Sequence, residues 1–257
     1  MKKVIKQCIV IFEILIVWWL GSLLLQKACL PKPAEAIKTC VTLLLNGELT
    51  DHILASLIRI ILGTLWGTLV AVPVGMLMGY SKNTDKYLGG FFNFLYTVPK
   101  VVFLPVIIVL MGIGDLPKIF LIGLVLFFQE TVVIRDSAKN IPEEISRSME
   151  VLGASNWQKM CHMVYPKCLP EVITSLRSSL GTSIALLFIT ENFASVSGLG
   201  YYITKSMDQR NYNQMYAAII ILSIIGIVIY SLFGILEKRL CKWKLIECEI
   251  SKATQHI

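Results

Sequence analysis

Three histidines, His52, His162 and His256, are the first place to look for acid–base or metal chemistry, and all three fall in segments read as loops. No Gly-x-Ser-x-Gly stands ready to raise a nucleophilic serine. The seven cysteines include no Cys-x-x-Cys pair and no metal-ligand spacing with histidine. A phosphate-cradling loop requires Gly-x-x-x-x-Gly-Lys-Ser/Thr, and no Gly-Lys pair occurs anywhere. No catalytic or metal-binding residue is therefore assigned. Chemistry resides instead in one polar interval, Arg135 to Pro170, which carries Arg135, Asp136, Lys139, Glu143, Glu144, Arg147, Glu150, Lys159, His162 and Lys167. Beyond it, a few ionisable residues (Arg59, Glu130, Arg177 and Glu191) lie inside apolar runs.

The elements that position these residues follow from composition. The chain has 257 residues, 55% of them hydrophobic and 16% charged, with a mean hydropathy of +0.69. That is an integral membrane protein, all-α. A helix crosses the hydrocarbon core with about 20 apolar residues, so about six transmembrane helices use nearly the whole chain as one transmembrane domain, residues 1–257. The net charge of +7 does not indicate nucleic acid, because Lys and Arg cluster in alternate loops, the pattern that sets topology. This places both termini in the cytoplasm. Membrane lipid is the expected surrounding.

Lys2, Lys3 and Lys6 precede an apolar run, Cys8 to Leu25, too long for a signal-peptide core and read as an uncleaved first span. Ala34–Leu45 is expected as a short helix at the outer surface. The second span, Ile53–Tyr80, carries Gly67, Ala71 and Gly75 near one face, which either packs on another span or reflects the frequency of glycine in membrane helices. Ser81–Lys86 reads as a basic turn. The third span, Leu88–Met111, is broken by Pro99 and Pro105, as a span lining a cavity often is. The fourth covers Lys118–Ile134, the fifth Val172–Ala194 and the sixth Tyr216–Leu236, before a basic tail from Glu237 through Lys244. The cysteines, Cys29 and Cys40 included, are read as small hydrophobes.

Arg177 and Glu191 lie fourteen residues apart, about 21 Å along a helix, so they are not expected to pair. Arg177 would bind backbone carbonyls or lipid headgroups. Glu191 would either border a translocation path or brace the Ser197-Gly198-Leu199-Gly200 segment. Snorkelling to the interface suffices for Arg59 and Glu130.

Within the polar interval, Gly153-Ala154-Ser155-Asn156-Trp157, then Val164-Tyr165-Pro166 and Leu169-Pro170, resembles the EAA loop of binding-protein-dependent ABC transporter permeases. The Pro99-to-Gly114 pattern before it and Glu191 with Ser197-Gly198-Leu199-Gly200-Tyr201 after it extend the resemblance from about Leu54 to Leu236. It is similar to the branch that imports nitrate, sulfonates and taurine. One departure stands out: where the family has Glu-Ala-Ala, this chain has Arg147-Ser148-Met149.

The resemblance implies an ABC importer type I permease, MetI-like in fold, with a core at 53–236 and a cytoplasmic coupling loop at 135–170. In such permeases the loop forms a short coupling helix that docks on a separate ATPase. The residues suit that role. Gly153 permits a sharp turn or close approach, Ala154 and Ser155 keep the surface small, and Trp157 offers an amphipathic anchor. Glu150 flanks the turn. Pro166 and Pro170 are expected to stop the helix before the fifth span. Pro99, Pro105, Glu191, Gly198 and Gly200 are the expected pathway or gating positions.

The implied partners are ABC ATPase subunits, a second permease copy or paralogue, and an extracytoplasmic solute-binding protein. ATP would be bound by the partner, with no cofactor here. The implied location is the bacterial inner membrane. Sulfonate, nitrate, taurine, bicarbonate or a pyrimidine vitamin precursor would each be compatible as solute. A secondary transporter or channel is the alternative; it predicts an ion relay and an internal repeat, and neither is visible.

Overall fold

A computed structural model of the chain describes residues 2–25, 27 and 29–242. The side chains of Lys2, Lys3, Lys6 and Cys8, and the tail residues Lys244 and His256, lie outside the described residues. Eleven α-helices follow one another: α1 Lys2–Leu25, α2 Pro33–Leu45, α3 Thr50–Tyr80, α4 Lys82–Thr97, α5 Leu104–Met111, α6 Leu116–Lys139, α7 Glu143–Val151, α8 Asn156–Lys159, α9 Tyr165–Glu191, α10 Leu199–Asp208 and α11 Tyr212–Leu240. Among the described residues, four long runs are apolar enough to cross a bilayer: α3, α6, the stretch Asn156–Glu191, and α11. The pair α4 and Lys100–Met111, bent by 81°, passes the same test only when taken together. The first expected span contributes a shorter apolar helical stretch, Ile9–Leu25.

The chain divides into two compact units, residues 1–57 with 188–225 and residues 58–187 with 226–257. In the second unit, the glycine face of α3 does pack on another span, α6. A Cβ on Gly67 would stand 2.6 Å from the Gly123 carbonyl oxygen, and one on Gly75 would stand 2.8 Å from Ile134 Cβ. Gly63 meets Ile122 and Gly79 meets Ala138 in the same way. Contacts advance together along both helices, so α3 and α6 run parallel. Trp66 of α3 lies against Gly123 as well, and its indole N–H donates to the Ile119 carbonyl at 3.0 Å. Small residues let two backbones approach where lipid supplies no hydrophobic drive between helices.

The break in the third span is complete. Helix α4 ends at Thr97, a 3-10 turn covers Lys100–Phe103, and Pro105 sits in the first turn of α5, where its missing N–H costs nothing. Lys100 closes the end of α4 by donating to the Leu95 carbonyl at 2.6 Å and the Val98 carbonyl at 3.3 Å. A cation there meets the negative end of the helix dipole. The expected turn at Ser81–Lys86 is a helix start instead: Ser81 caps α4 by accepting from the Thr84 N–H, and Asp85 occupies the first turn. Asp85 then pairs with Arg135 at 2.5 Å and Lys139 at 2.6 Å. Those two cations lie on the last turns of α6, which extends past the expected end at Ile134.

In the first unit, α2 buries Pro33, Ala36, Cys40 and Leu43 on one side. The Trp18 indole donates to the Pro31 carbonyl at 3.1 Å and stacks on Tyr216 at 5.2 Å. Cys29 and Cys40 are free thiols, the second buried.

Gly67→Leu should force α3 from α6, with a cost of at least about 1–3 kcal/mol from overpacking. Thermal unfolding in detergent should show a clearly lowered midpoint. Gly90→Ala, where an added Cβ meets nothing within 4 Å, should leave the midpoint in place.

Candidate functional site

The polar interval folds into a knuckle in the second unit. Helix α7 rises from Pro142 with Glu143 and Glu144 in its first turn, favourable at the positive end of the helix dipole. It ends where Gly153 turns the chain at φ +77°, a left-handed conformation that glycine adopts without strain. The Gly153 N–H donates to the Glu150 carbonyl at 2.9 Å and the Ala154 N–H to the Met149 carbonyl at 3.0 Å, closing the helix end. Ser155 then opens α8 with a capping box: its hydroxyl accepts from the Gln158 N–H at 3.3 Å, and the Gln158 side chain accepts from the Ser155 N–H at 2.8 Å.

The crest of the knuckle is bare and apolar. Val151 is 88% exposed, Leu152 84% and Trp157 75%. Beneath it, Met149, Met160, Met163 and Val164 join a cluster with Tyr80, Met76, Ile134, Ala138, Cys168 and Val172. The knuckle thus rests on the ends of α3 and α6 and on the start of α9. Lys159 bridges its two legs, with Nζ 2.7 Å from Glu150 Oε1. That hydrogen bond, together with the charge of the same ammonium, holds the Glu150 carboxyl below the usual carboxylate range. A cleft of about 1190 Å³ opens beside it, lined among others by Tyr80, Lys82, Asp85, Arg147, Glu150 and Trp157.

Pro166 and Pro170 do not stop the helix. From Asn156 to Glu191 the chain is one helical run, with a π turn at Met160–Val164 and Pro170 inside α9. The π turn widens the helix at residue 162, whose carbonyl a proline at 166 would otherwise crowd. Thr174 donates its hydroxyl to the Pro170 carbonyl at 2.9 Å. His162 is exposed on the π turn.

A second constellation lies in the first unit. Glu191 is fully buried. Its Oε2 accepts from the Gly200 N–H at 2.7 Å and its Oε1 from the Ser56 hydroxyl at 2.7 Å. Ser56 Oγ in turn accepts from the Leu199 N–H at 2.8 Å, and His52 Nδ1 accepts from the Gly198 N–H at 3.1 Å. Three successive amides at the start of α10 are thereby satisfied by side chains from α3 and α9. Gly198 has φ +111°, and a Cβ on Gly200 would stand 3.0 Å from both Glu191 Cβ and the Phe188 carbonyl oxygen. These bonds tie Glu191 to the Gly198–Gly200 segment.

The other intramembrane charges differ from expectation. Arg59 is 2% exposed and pairs with Asp115 at 2.6 Å, so it does not snorkel. Glu130 is fully buried, beside the Thr68 hydroxyl. Arg177 has partners on α11 that the sequence did not announce: it reaches Glu237 at 2.6 Å and the Tyr230 hydroxyl at 2.9 Å. Pro99 and Pro105 are both exposed, on either side of the 3-10 turn.

His52, Ser56 and Lys159 escaped the sequence reading as site residues. His52 and Ser56 are four apart, one helical turn, and so share a face. That spacing was the available signal, and it was hidden by reading His52 as a loop residue.

The family model of the binding-protein-dependent transport system inner membrane component matches residues 71–242. A putative aliphatic sulfonates transport permease protein of Bacillus subtilis is 30% identical over 244 residues, 95% of this chain and 88% of its own length. The taurine transport system permease protein of Escherichia coli is 29% identical, over 90% of this chain and 86% of its own. A nitrate import permease protein of Synechocystis is 25% identical, over 91% and 88%. Among solved structures, an inward-facing methionine ABC transporter matches with TM-score 0.65 at 17% identity, over 75% of this chain and 95% of that one. A bacterial ABC transporter that imports alginate matches with TM-score 0.64 at 17% identity, over 92% and 98%. Both show the fold.

Two outcomes follow from the geometry. Glu191→Ala should raise amide exchange at residues 198–200 by up to about tenfold, the worth of an ordinary buried hydrogen bond, with the helices otherwise intact. Because the Glu150 pKa is lowered, its pair with Lys159 contributes fully above about pH 4.3, the ordinary Glu value, and fades as pH falls through the lower folded value. Exchange at the Gly153 and Ala154 amides, corrected for its intrinsic pH dependence, should stay flat from about pH 8 to 5 and rise only below about pH 4.

Proposed function

The chain belongs to the binding-protein-dependent transport system inner membrane components, and from that premise we propose that its knuckle at residues 150–157 docks a separate ATP-hydrolysing subunit. The chain is a membrane-embedded, multi-pass permease subunit of an ABC importer, which displaces the secondary transporter or channel as a reading. The observation that carries the docking role is the contrast at the crest. Val151, Leu152 and Trp157 stand bare on a segment otherwise dominated by charge. Exposed apolar groups on a rigid, polar-rimmed knob have the composition of an interface core. The capping box and the Gly153 turn fix their positions beforehand, which lowers the ordering cost of binding.

ATP belongs to that partner, since this sequence has no phosphate loop. Two copies of the permease, or one copy and a paralogue, enclose the pathway in the bacterial inner membrane, and an extracytoplasmic binding protein delivers the solute. Closure of the ATPase pair draws the knuckles together and reverses the access of the pathway. The relatives named for sulfonates, taurine and nitrate support a small solute of that kind, bearing a sulfonate or nitrate group. Pro99, Pro105 and the Gly198–Gly200 segment are the positions proposed to shape or gate the pathway, with Glu191 as the brace of that segment.

Gly153→Arg places a long side chain at a left-handed φ on the crest, and Trp157→Ala removes the anchor. Both variants should insert in the membrane and lose the ATPase on co-purification. Undiminished recovery of the ATPase with both would move the docking surface elsewhere.

A further inference from the structure

The contacts of the broken third span against α6 set the depth of its break. Asp85, in the first turn of α4, pairs with Arg135 and Lys139 at the C-terminal end of α6. Phe92 packs on Phe127 and Phe128 further along, and Leu104 and Ile107 of α5 pack with Leu121 towards the other end. These contacts recede steadily, so α4 and α5 pass alongside α6 as one interrupted span. At the interruption stands a lysine. The Lys100 ammonium lies 4.7 Å from the centre of the Phe128 ring. Phe128 is near the midpoint of α6, Leu116–Lys139, about 17 Å from either end at the α-helical rise. The ammonium has not snorkelled to a headgroup; it sits at mid-depth.

Among the described residues its partners are carbonyls and a ring face, and none is a carboxylate. Nζ donates to the Leu95 carbonyl at 2.6 Å and the Val98 carbonyl at 3.3 Å, whereas the Tyr96 carbonyl, at 3.5 Å, is at the limit of a hydrogen bond. An ammonium has three donors, so one is only loosely held. The end of α4 also has a closure of its own, because the Val98 N–H donates to the Leu95 carbonyl at 3.2 Å. A neutral side chain would have completed that cap at a lower desolvation cost. The charge is therefore not explained by capping. Lys100 is only partly covered, and Thr97 and Pro99 beside it are exposed. Irregular backbone at membrane depth is tolerated where protein buries it or where it lines a water-filled cavity, and intramembrane cations mark such paths.

We propose that Lys100 is the counter-charge for the solute: at the break of the third span its ammonium meets the sulfonate or nitrate group midway through the membrane. The proposal rests on the reading of the chain as an importer permease for such a solute. With two donors retained by the end of α4, the oxyanion meets one charge and one hydrogen bond, a contact firm enough to select and loose enough to release.

The test uses the assembled permease–ATPase complex in nanodiscs, where a water-soluble reagent reaches both faces. Thr97→Cys places a thiol on the turn that the ammonium closes. Ile227→Cys on α11, among exposed apolar side chains, is the lipid-facing control. Each is treated with sulfonatoethyl methanethiosulfonate, an anion that carries the sulfonate group, or with its trimethylammonium counterpart, a cation. Modification is read by mass on the peptide carrying the new cysteine, so the native cysteines stay in place. Each rate is divided by that reagent's rate with a free thiol, and the ratio of anion to cation cancels any effect of Lys100 on the ionisation of the thiol. At Thr97→Cys the anion should be favoured about tenfold or more, the effect of one charge a few ångströms away in a partly hydrated site. Adding Lys100→Gln, which can still donate to a carbonyl but carries no charge, should abolish the preference, and Lys100→Arg should keep it. A capping role alone would move neither. Absence of the preference with Lys100 in place overturns the proposal, whether or not Lys100→Gln folds. A preference that Lys100→Gln leaves unchanged also overturns it, as does a thiol at position 97 that is as inert to both reagents as the one at 227. Failure of the unaltered chain to assemble with the ATPase would instead refute the importer reading.

Discussion

The contact between Gly67 on α3 and Gly123 on α6 is the constraint from which the second unit is built. A single added carbon on Gly67 would press on the opposing carbonyl, so the two backbones are as near as peptide groups allow. Lipid offers no hydrophobic gain for bringing helices together, and van der Waals contact along such a seam has to supply it. The seam runs from Gly63 to Gly79, so the C-terminal ends of α3 and α6 arrive side by side. Tyr80 and Ala138 then form part of the floor on which Met149, Met160 and Met163 rest. The shape of the exposed knuckle depends, through that floor, on a glycine contact deep in the membrane.

The knuckle itself combines rigidity and exposure in a way that either alone would not explain. A flexible loop bearing Val151, Leu152 and Trp157 would pay conformational entropy on every docking event. A rigid loop without them would have little to bind with. Here a positive-φ glycine, a capping box and a buried cation fix the backbone between Glu150 and Lys159. In the first unit the same economy of local bonds satisfies the amides of Gly198, Leu199 and Gly200 from His52, Ser56 and Glu191.

Much of this was legible in the sequence, for definable reasons. Small residues at helical spacing marked the α3 face and left two readings open, close packing or the commonness of glycine in membrane helices; the fit against α6 decides for packing. Two prolines six residues apart announced the broken span, although Pro99 and Lys100 alone mark the break and Pro105 merely opens α5. The Gly153-to-Trp157 motif located the knuckle. What the sequence concealed were partnerships across long separations: Arg59 with Asp115, Arg177 with Glu237, Asp85 with Arg135. Periodicity identifies faces but does not say which faces meet, so these charges read as snorkelling or solvated. Pro166 misled because the turn before it is a π turn, and Pro170 because α9 carries it inside regular helix, as α3 carries Pro73.

The most direct measurement is photo-cross-linking in native membranes, with a photoreactive residue in place of Leu152 on the crest and, separately, in place of Val109, which is equally bare on α5. A membrane ABC permease that docks its ATPase through the knuckle predicts an adduct with the ATPase from position 152 and none from position 109. An ATPase adduct from position 109 alone, with none from position 152, would contradict the account.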